Sequence, residues 1–235
     1  MAKPLARDKA AAEPPEQREA GTTPLPPAGS LKTTPYSLKK GTVLHRVHPE
    51  RYAAEQFNPG RLGNARFSPI QDAEGEPIPT IYAGVTKDCA MMETLFHDVP
   101  FTPGVKTYDK SKLEGQVHST LEVTQDLELV DLATVPLRKL GITRNALIDT
   151  EKDQYPTTRK WAEKIYQECP TAVGMSWVSR QDDTARAMIL FGDRIYPESL
   201  CQTGESLSLV NDPTTYDDVL DLAERLDVLI VPGKE

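Results

Sequence analysis

The sequence is short of cysteine, histidine, long apolar runs and basic charge, and each shortage removes a class of function. There are three cysteines in 235 residues. Cys89, Cys169 and Cys201 are an odd set at wide, irregular spacing, so neither a disulfide framework nor a zinc pattern is expected. The four histidines (His45, His48, His97, His118) are scattered, and no nearby Cys or acidic residue completes a site with His45 and His48; no metal is expected. No apolar run approaches the roughly 20 residues of a membrane span. The basic stretch at residues 1–9 leads into Ala, Pro and Glu rather than into an apolar segment, which is not a secretory leader pattern, so a cytoplasmic location is the default expectation. With 27 Lys and Arg against 35 Asp and Glu, the net charge is −8. This argues against direct nucleic-acid binding, which needs a clustered basic face. It leaves room for a small anionic ligand, because a few local arginines can grip a phosphate inside an acidic protein.

What is present suggests one domain behind a tail. Residues 1–38 hold seven of the twenty prolines and almost no large apolar side chains. Such a stretch buries too little surface to offset its ordering entropy and is expected to be a disordered tail that orders only against the domain or a partner. Residues 39–235 carry no repeats and no second linker, so a single domain is expected there, and the sequence is compatible with a homo-oligomer. Strand patterns occur at 42–47, 80–85, 126–132, 173–178, 185–191 and 227–231. Helical patterns occur at 86–98, with Thr86 or Asp88 as cap, at 157–168 after Pro156, and at 216–226. This interleaving predicts a mixed α/β, or α+β, domain. No helix-length connection follows every strand, which excludes a regular doubly wound sheet.

Three segments could carry chemistry. On a helix starting near Thr86, turning about 100° per residue, Glu93 falls inside the apolar arc formed by Cys89, Ala90, Met92, Leu95 and Phe96. A carboxylate there is costly to bury unless a charge or a hydrogen bond meets it; the pattern leaves open a structural salt bridge or a functional group. The loop Asn58-Pro-Gly-Arg-Leu-Gly-Asn-Ala-Arg-Phe-Ser-Pro69 carries two arginines among turn formers, yet lacks the Gly-Lys-Ser/Thr ending of a phosphate loop. Ser179 and Arg180 sit where a strand runs out into a turn, without the Gly-x-Ser-x-Gly elbow of a serine hydrolase.

In their order along the chain these segments resemble the RES family, named for its Arg, Glu and Ser. Leu44-His-Arg-Val47 resembles the family's Leu-Tyr-Arg-Val strand. Residues 60–69 resemble its Gly-Gly-Arg-Trp-Asn-x-Pro loop, with Arg66 at the motif arginine and Arg46 its rival. Ile78-Pro-Thr-Ile-Tyr82 resembles the strand bearing the family tyrosine, and Cys89-Ala-Met-Met-Glu93, eleven residues on, its Ala-x-x-Glu helix. Residues 174–179 resemble the segment ending in the motif serine, and 185–194 the Leu-Phe-x-Asp-Arg strand after it. Phe67 and Ser68 depart from the usual Trp and Asn, and the hydrophilic stretch 71–76 lengthens the path from Arg66 to Tyr82.

The resemblance implies an ADP-ribosyltransferase-like fold with a split central sheet flanked by helices. It also implies a toxin-like enzyme that cleaves the nicotinamide–ribose bond of NAD by hydrolysis or phosphorolysis and so depletes cellular NAD. NAD is then the substrate, with no cofactor, and a cognate helix-turn-helix antitoxin is the implied partner. Glu93 would stabilise the ribosyl cation, Arg66 and Arg46 would bind the pyrophosphate, Tyr82 would stack on nicotinamide or shape its pocket, and Ser179 would position the ribose or nicotinamide end. Transfer of ADP-ribose to a protein target and a catalytically inactive interaction module are the alternatives.

Overall fold

A computed structural model describes residues 22–100 and 102–233. Among the described residues, ten strands and five α-helices are interleaved. Eight of the strands form one curled sheet. They are β1 (Pro35–Leu38), β2 (Val43–Pro49), β3 (Thr80–Gly84), β5 (Gln116–Val123), β6 (Leu127–Asp131), β7 (Gly174–Val178), β8 (Arg186–Phe191) and β9 (Leu200–Ser208), in the spatial order β1-β6-β7-β8-β3-β2-β5-β9. All neighbours are antiparallel except β6 and β7. The remaining strands, β4 (Lys106–Asp109) and β10 (Val228–Val231), form a small parallel pair. This is an α+β fold.

The sheet has a seam. Strands β2 and β3 meet at a single register pair, His45 opposite Gly84, whereas β2 pairs with β5 over seven residues and β3 with β8 over five. Helix α1 (Lys87–Thr94) lies over this seam. Thr86 caps it in extended conformation (φ −132°, ψ 157°), accepting from the Cys89 amide at 3.1 Å and satisfying one of the helix's free donors. Gly84 lets the helix settle, since a Cβ there would stand 2.9 Å from the Ala90 nitrogen and 3.0 Å from the Cys89 sulfur. The helix stops at Thr94, short of the expected residue 98.

Around the seam the core divides. On one side Phe67, Ile70, Met175, Trp177 and Ile189 meet Trp161, Ala162 and Ile165 of α4 (Tyr155–Glu168). On the other, Met91, Met92, Leu95 and Phe96 of the α1 segment meet Val219, Leu222 and Ala223 of α5 (Pro213–Arg225). The apolar residues of α1, from Cys89 to Met92, are thus covered on two sides, Cys89 by the first cluster and Ala90, Met91 and Met92 by the second. Two short helices, α2 (Thr134–Leu140) and α3 (Arg144–Leu147), complete the first cluster.

Within the expected tail, residues 22–38 are ordered against the domain. Thr23 is buried, its amide donates to Gln154 Oε1 at 3.0 Å, and the Pro24 carbonyl accepts from Trp161 Nε1 at 2.7 Å. The Leu31 amide donates to Glu168 Oε2, and 35–38 pair with 127–130 as edge strand β1. A proline-rich segment needs no core of its own when an exposed helix and a sheet edge offer partners for its backbone. The rest of the expected tail, residues 1–21, lies outside the described residues. Helix α5 begins three residues earlier than expected, with Asp212 accepting from the Thr215 amide at 2.8 Å and Pro213 in its first turn.

Candidate active site

Four elements deliver four side chains to one place. Helix α1 brings Glu93, β3 brings Tyr82, the loop between β2 and β3 brings Arg66, and the end of β7 brings Ser179. Ser179 Oγ donates to Glu93 Oε1 at 2.7 Å. Arg66 Nη1 stands 3.9 Å from Glu93 Oε2, with only 7% of the arginine side chain and 14% of the glutamate side chain exposed. Arg66, Tyr82 and Glu93 line a cleft of about 350 Å³ together with Arg46, His48, Asn58, Tyr155 and Gln181.

Hydrogen bonding separates the roles. The Ser179 hydroxyl is fully committed: besides donating to Glu93 it accepts from the amides of Gln181 (3.0 Å) and Asp182 (3.1 Å). It fixes the carboxylate and the turn together. The Tyr82 hydroxyl accepts from the Phe67 amide at 3.0 Å, and burial pushes its pKa up to about 12. It therefore holds the arginine loop as a neutral phenol, its ring edge-on to Trp177 at 6.2 Å. Cys89, one turn before Glu93, is no nucleophile. Burial, with Glu93 nearby, raises its thiol to about 12.

Arg66 is the group left over. Its Nε is buried without a hydrogen-bond partner, Glu93 approaches only at 3.9 Å, and the Tyr155 ring lies 6.0 Å from the guanidinium. A buried guanidinium in that condition is incomplete without an anion. Arg46 is different. Its Nη1 donates to the carbonyls of Ala54 and Gln56, at 2.5 and 2.9 Å, and approaches that of Ala53 at 3.4 Å. Burial lowers its pKa to about 10, with Glu55 offsetting part of the shift. One nitrogen of Arg46 is thus committed to the chain's own carbonyls, while the residue lines the cleft. Arg180, singled out beside Ser179, turns away to the Thr150 carbonyl at 2.6 Å and to Glu151.

Several residues in or behind the cleft are not singled out by the motifs of the sequence. The Gln181 side chain donates to the His97 carbonyl at 2.9 Å and ties the β7–β8 turn to the end of α1. Tyr155 and Thr158 sit on α4 at the spacing of its buried stripe, with Trp161, Ala162 and Ile165. A polar residue inside that stripe is the same signal that marked Glu93. Among the described residues no group of three His, Cys, Asp or Glu is arranged to hold a metal ion. His45 Nδ1 and His118 Nε2 are hydrogen-bonded at 2.9 Å with their rings stacked, and His48 bonds Ser119 at 2.9 Å.

An α+β domain with a carboxylate held by a serine beside a buried arginine at a sheet seam defines a class of candidate enzyme site. Comparison with known families agrees: the RES domain model matches residues 43–210, so the chain belongs to the RES family. That family is generally associated with NAD-acting enzymes and with toxin–antitoxin systems. No curated protein and no solved structure matches the chain.

Proposed function

We propose that the chain cleaves the nicotinamide–ribose bond of NAD, with Glu93 at the reacting centre. The observation that carries this reading is the pairing of an oriented carboxylate with a buried, incompletely bonded arginine across one cleft. NAD offers each of them what it lacks. The pyrophosphate supplies the anion for Arg66, and the ribose next to nicotinamide develops positive charge as its C–N bond breaks.

In this mechanism the C–N bond electrons leave with nicotinamide, which departs neutral. The Glu93 carboxylate faces the resulting ribosyl cation and stabilises it, while phosphate, or water that gives up a proton to solvent, attacks the same carbon. Ser179 keeps Oε1 of Glu93 in place, so the carboxylate is already oriented before charge develops. Tyr82 shapes the nicotinamide end and holds the arginine loop through the Phe67 amide. A helix-turn-helix antitoxin as partner and depletion of cellular NAD belong to the same proposal and rest on family membership.

The test is release of free nicotinamide from NAD by the purified protein, with and without phosphate. Release that needs no protein acceptor supports the proposal, and its dependence on phosphate separates phosphorolysis from hydrolysis. No release unless a target protein is added would turn the reading to ADP-ribose transfer, and no turnover under either condition would leave an interaction module.

A further inference from the structure

We infer that Thr158 on α4 is a positioning residue for Arg66, and that α4 is the strut through which the N-terminal strap, residues 22–34, sets the anion-binding end of the cleft. For its consequence in catalysis this rests on the proposed NAD-cleaving reaction.

The arginine loop has almost no ladder of its own. Within residues 60–69 the Ala65 amide bonds the Ser68 carbonyl at 3.0 Å, and the remaining anchors come from other elements. Tyr82 holds the Phe67 amide, Arg159 Nη1 donates to Asn64 Oδ1 at 3.1 Å, and the Thr158 hydroxyl donates to the carbonyl of Arg66 itself. Thr158 is fully buried. Its hydroxyl also lies 3.1 Å from the Tyr155 carbonyl, so it joins the backbone of its own helix to the Arg66 carbonyl. Tyr155, one turn earlier, sets its ring beside the guanidinium. Two of the side chains that bond this loop, and the ring beside Arg66, therefore come from one face of one helix.

An adjoining side of α4 and its two ends are gripped by the strap. Trp161 Nε1 bonds the Pro24 carbonyl, Gln154 Oε1 accepts from the Thr23 amide, and Glu168 Oε2 accepts from the Leu31 amide at 2.6 Å. Lys139 Nζ closes the strap's far end on the Thr33 carbonyl at 2.8 Å. The helix is thus held at both ends and in the middle, and what it holds in turn is the backbone of the buried arginine.

The experiment compares Thr158→Val, which keeps shape and removes the hydroxyl, with Thr158→Ser, which restores it. Because Arg66 grips a part of the substrate that does not react, its displacement weakens substrate and transition state alike. The expected result for Thr158→Val is a KM for NAD raised about five- to tenfold with kcat within about twofold, the scale of one lost hydrogen bond. Thr158→Ser should return KM to near the parent value. An unchanged KM in Thr158→Val, or a serine variant that folds and does not recover, overturns the inference. Should Thr158→Val fail to fold, Arg159→Met cuts the exposed bond to Asn64 from the same helix. A KM raised about two- to threefold then supports the strut, and an unchanged KM overturns it. If the parent protein releases no nicotinamide, the reading of the reaction fails by itself. The positioning claim is then judged by calorimetric titration of inorganic pyrophosphate: weaker binding by Thr158→Val supports it, and equal affinity, or no binding by the parent, overturns it.

Discussion

Two polar regions border strand β2, with His48 belonging to both, and they are built on opposite terms. Between β2, β5 and β9 the polar groups satisfy one another. His45 and His118 share a hydrogen bond, His48 bonds Ser119, and Ser119 bonds Ser206 at 2.7 Å. In the cleft, Arg66 keeps a buried nitrogen without a partner, and its nearest acid stands at 3.9 Å. A closed network stabilises the sheet, whereas an incomplete one is a demand for a ligand. Burial and polarity are common to both regions, and the accounting of partners is what separates them.

The largest effect should come from breaking the cleft at its centre. Glu93→Gln keeps the Ser179 contact in outline and removes the charge that would face a ribosyl cation. Nicotinamide release should fall at least about a hundredfold in kcat, a typical cost of removing one oriented electrostatic stabiliser. The thermal midpoint should move little, and melting curves run beside the kinetic assay check both parts.

The two arginines sharpen the comparison next. Arg46→Met abandons buried carbonyls at Ala54 and Gln56 and should cost about 2–4 kcal/mol in urea denaturation. Arg66→Met removes a guanidinium that the protein itself bonds poorly, so stability should stay within about 1 kcal/mol while the KM for NAD rises more than about tenfold. Equal destabilisation by both would erase the distinction between the two arginines.

The closed network should announce itself through pH. Burial holds His118 down at about 4, with His45 and Lys87 adding to the effect and Asp218 opposing it, and burial also lowers His45. The folded state therefore binds fewer protons than the unfolded chain between about pH 6.5 and 4. Stability is complete above that window and is lost as pH falls through it, by up to roughly 3 kcal/mol for His118. His118→Gln should flatten this slope in denaturation curves taken from pH 7 to 4. The smallest effect belongs to Ser179→Ala, which frees the carboxylate without removing it; kcat should drop about tenfold, with little change in KM.

Much of the sheet was legible in the sequence because its strands alternate or run apolar between turn formers: β2, β3, β7, β8 and β10 are found where the pattern predicts them. Strands β5 and β9 were not. His118 and Ser119 disguise β5, since they are inward polar residues whose partners sit on other strands, and β9 is an edge strand with mostly exposed side chains. The strap at 22–34 was illegible for a related reason: its backbone partners belong to α4, more than a hundred residues away.

The sequence by itself determined the order of Arg66, Tyr82, Glu93 and Ser179 and the helical face that holds Glu93, because local periodicity and cap chemistry act over a few residues. Only the tertiary structure decided what each of them bonds. Ser179 became the holder of Glu93, Tyr82 the anchor of the arginine loop and Arg46 a clamp on its own backbone, while Arg66 was left open. A hydrogen bond depends on where a partner lies in space, and here the partners are brought together across a sheet seam that no local pattern describes.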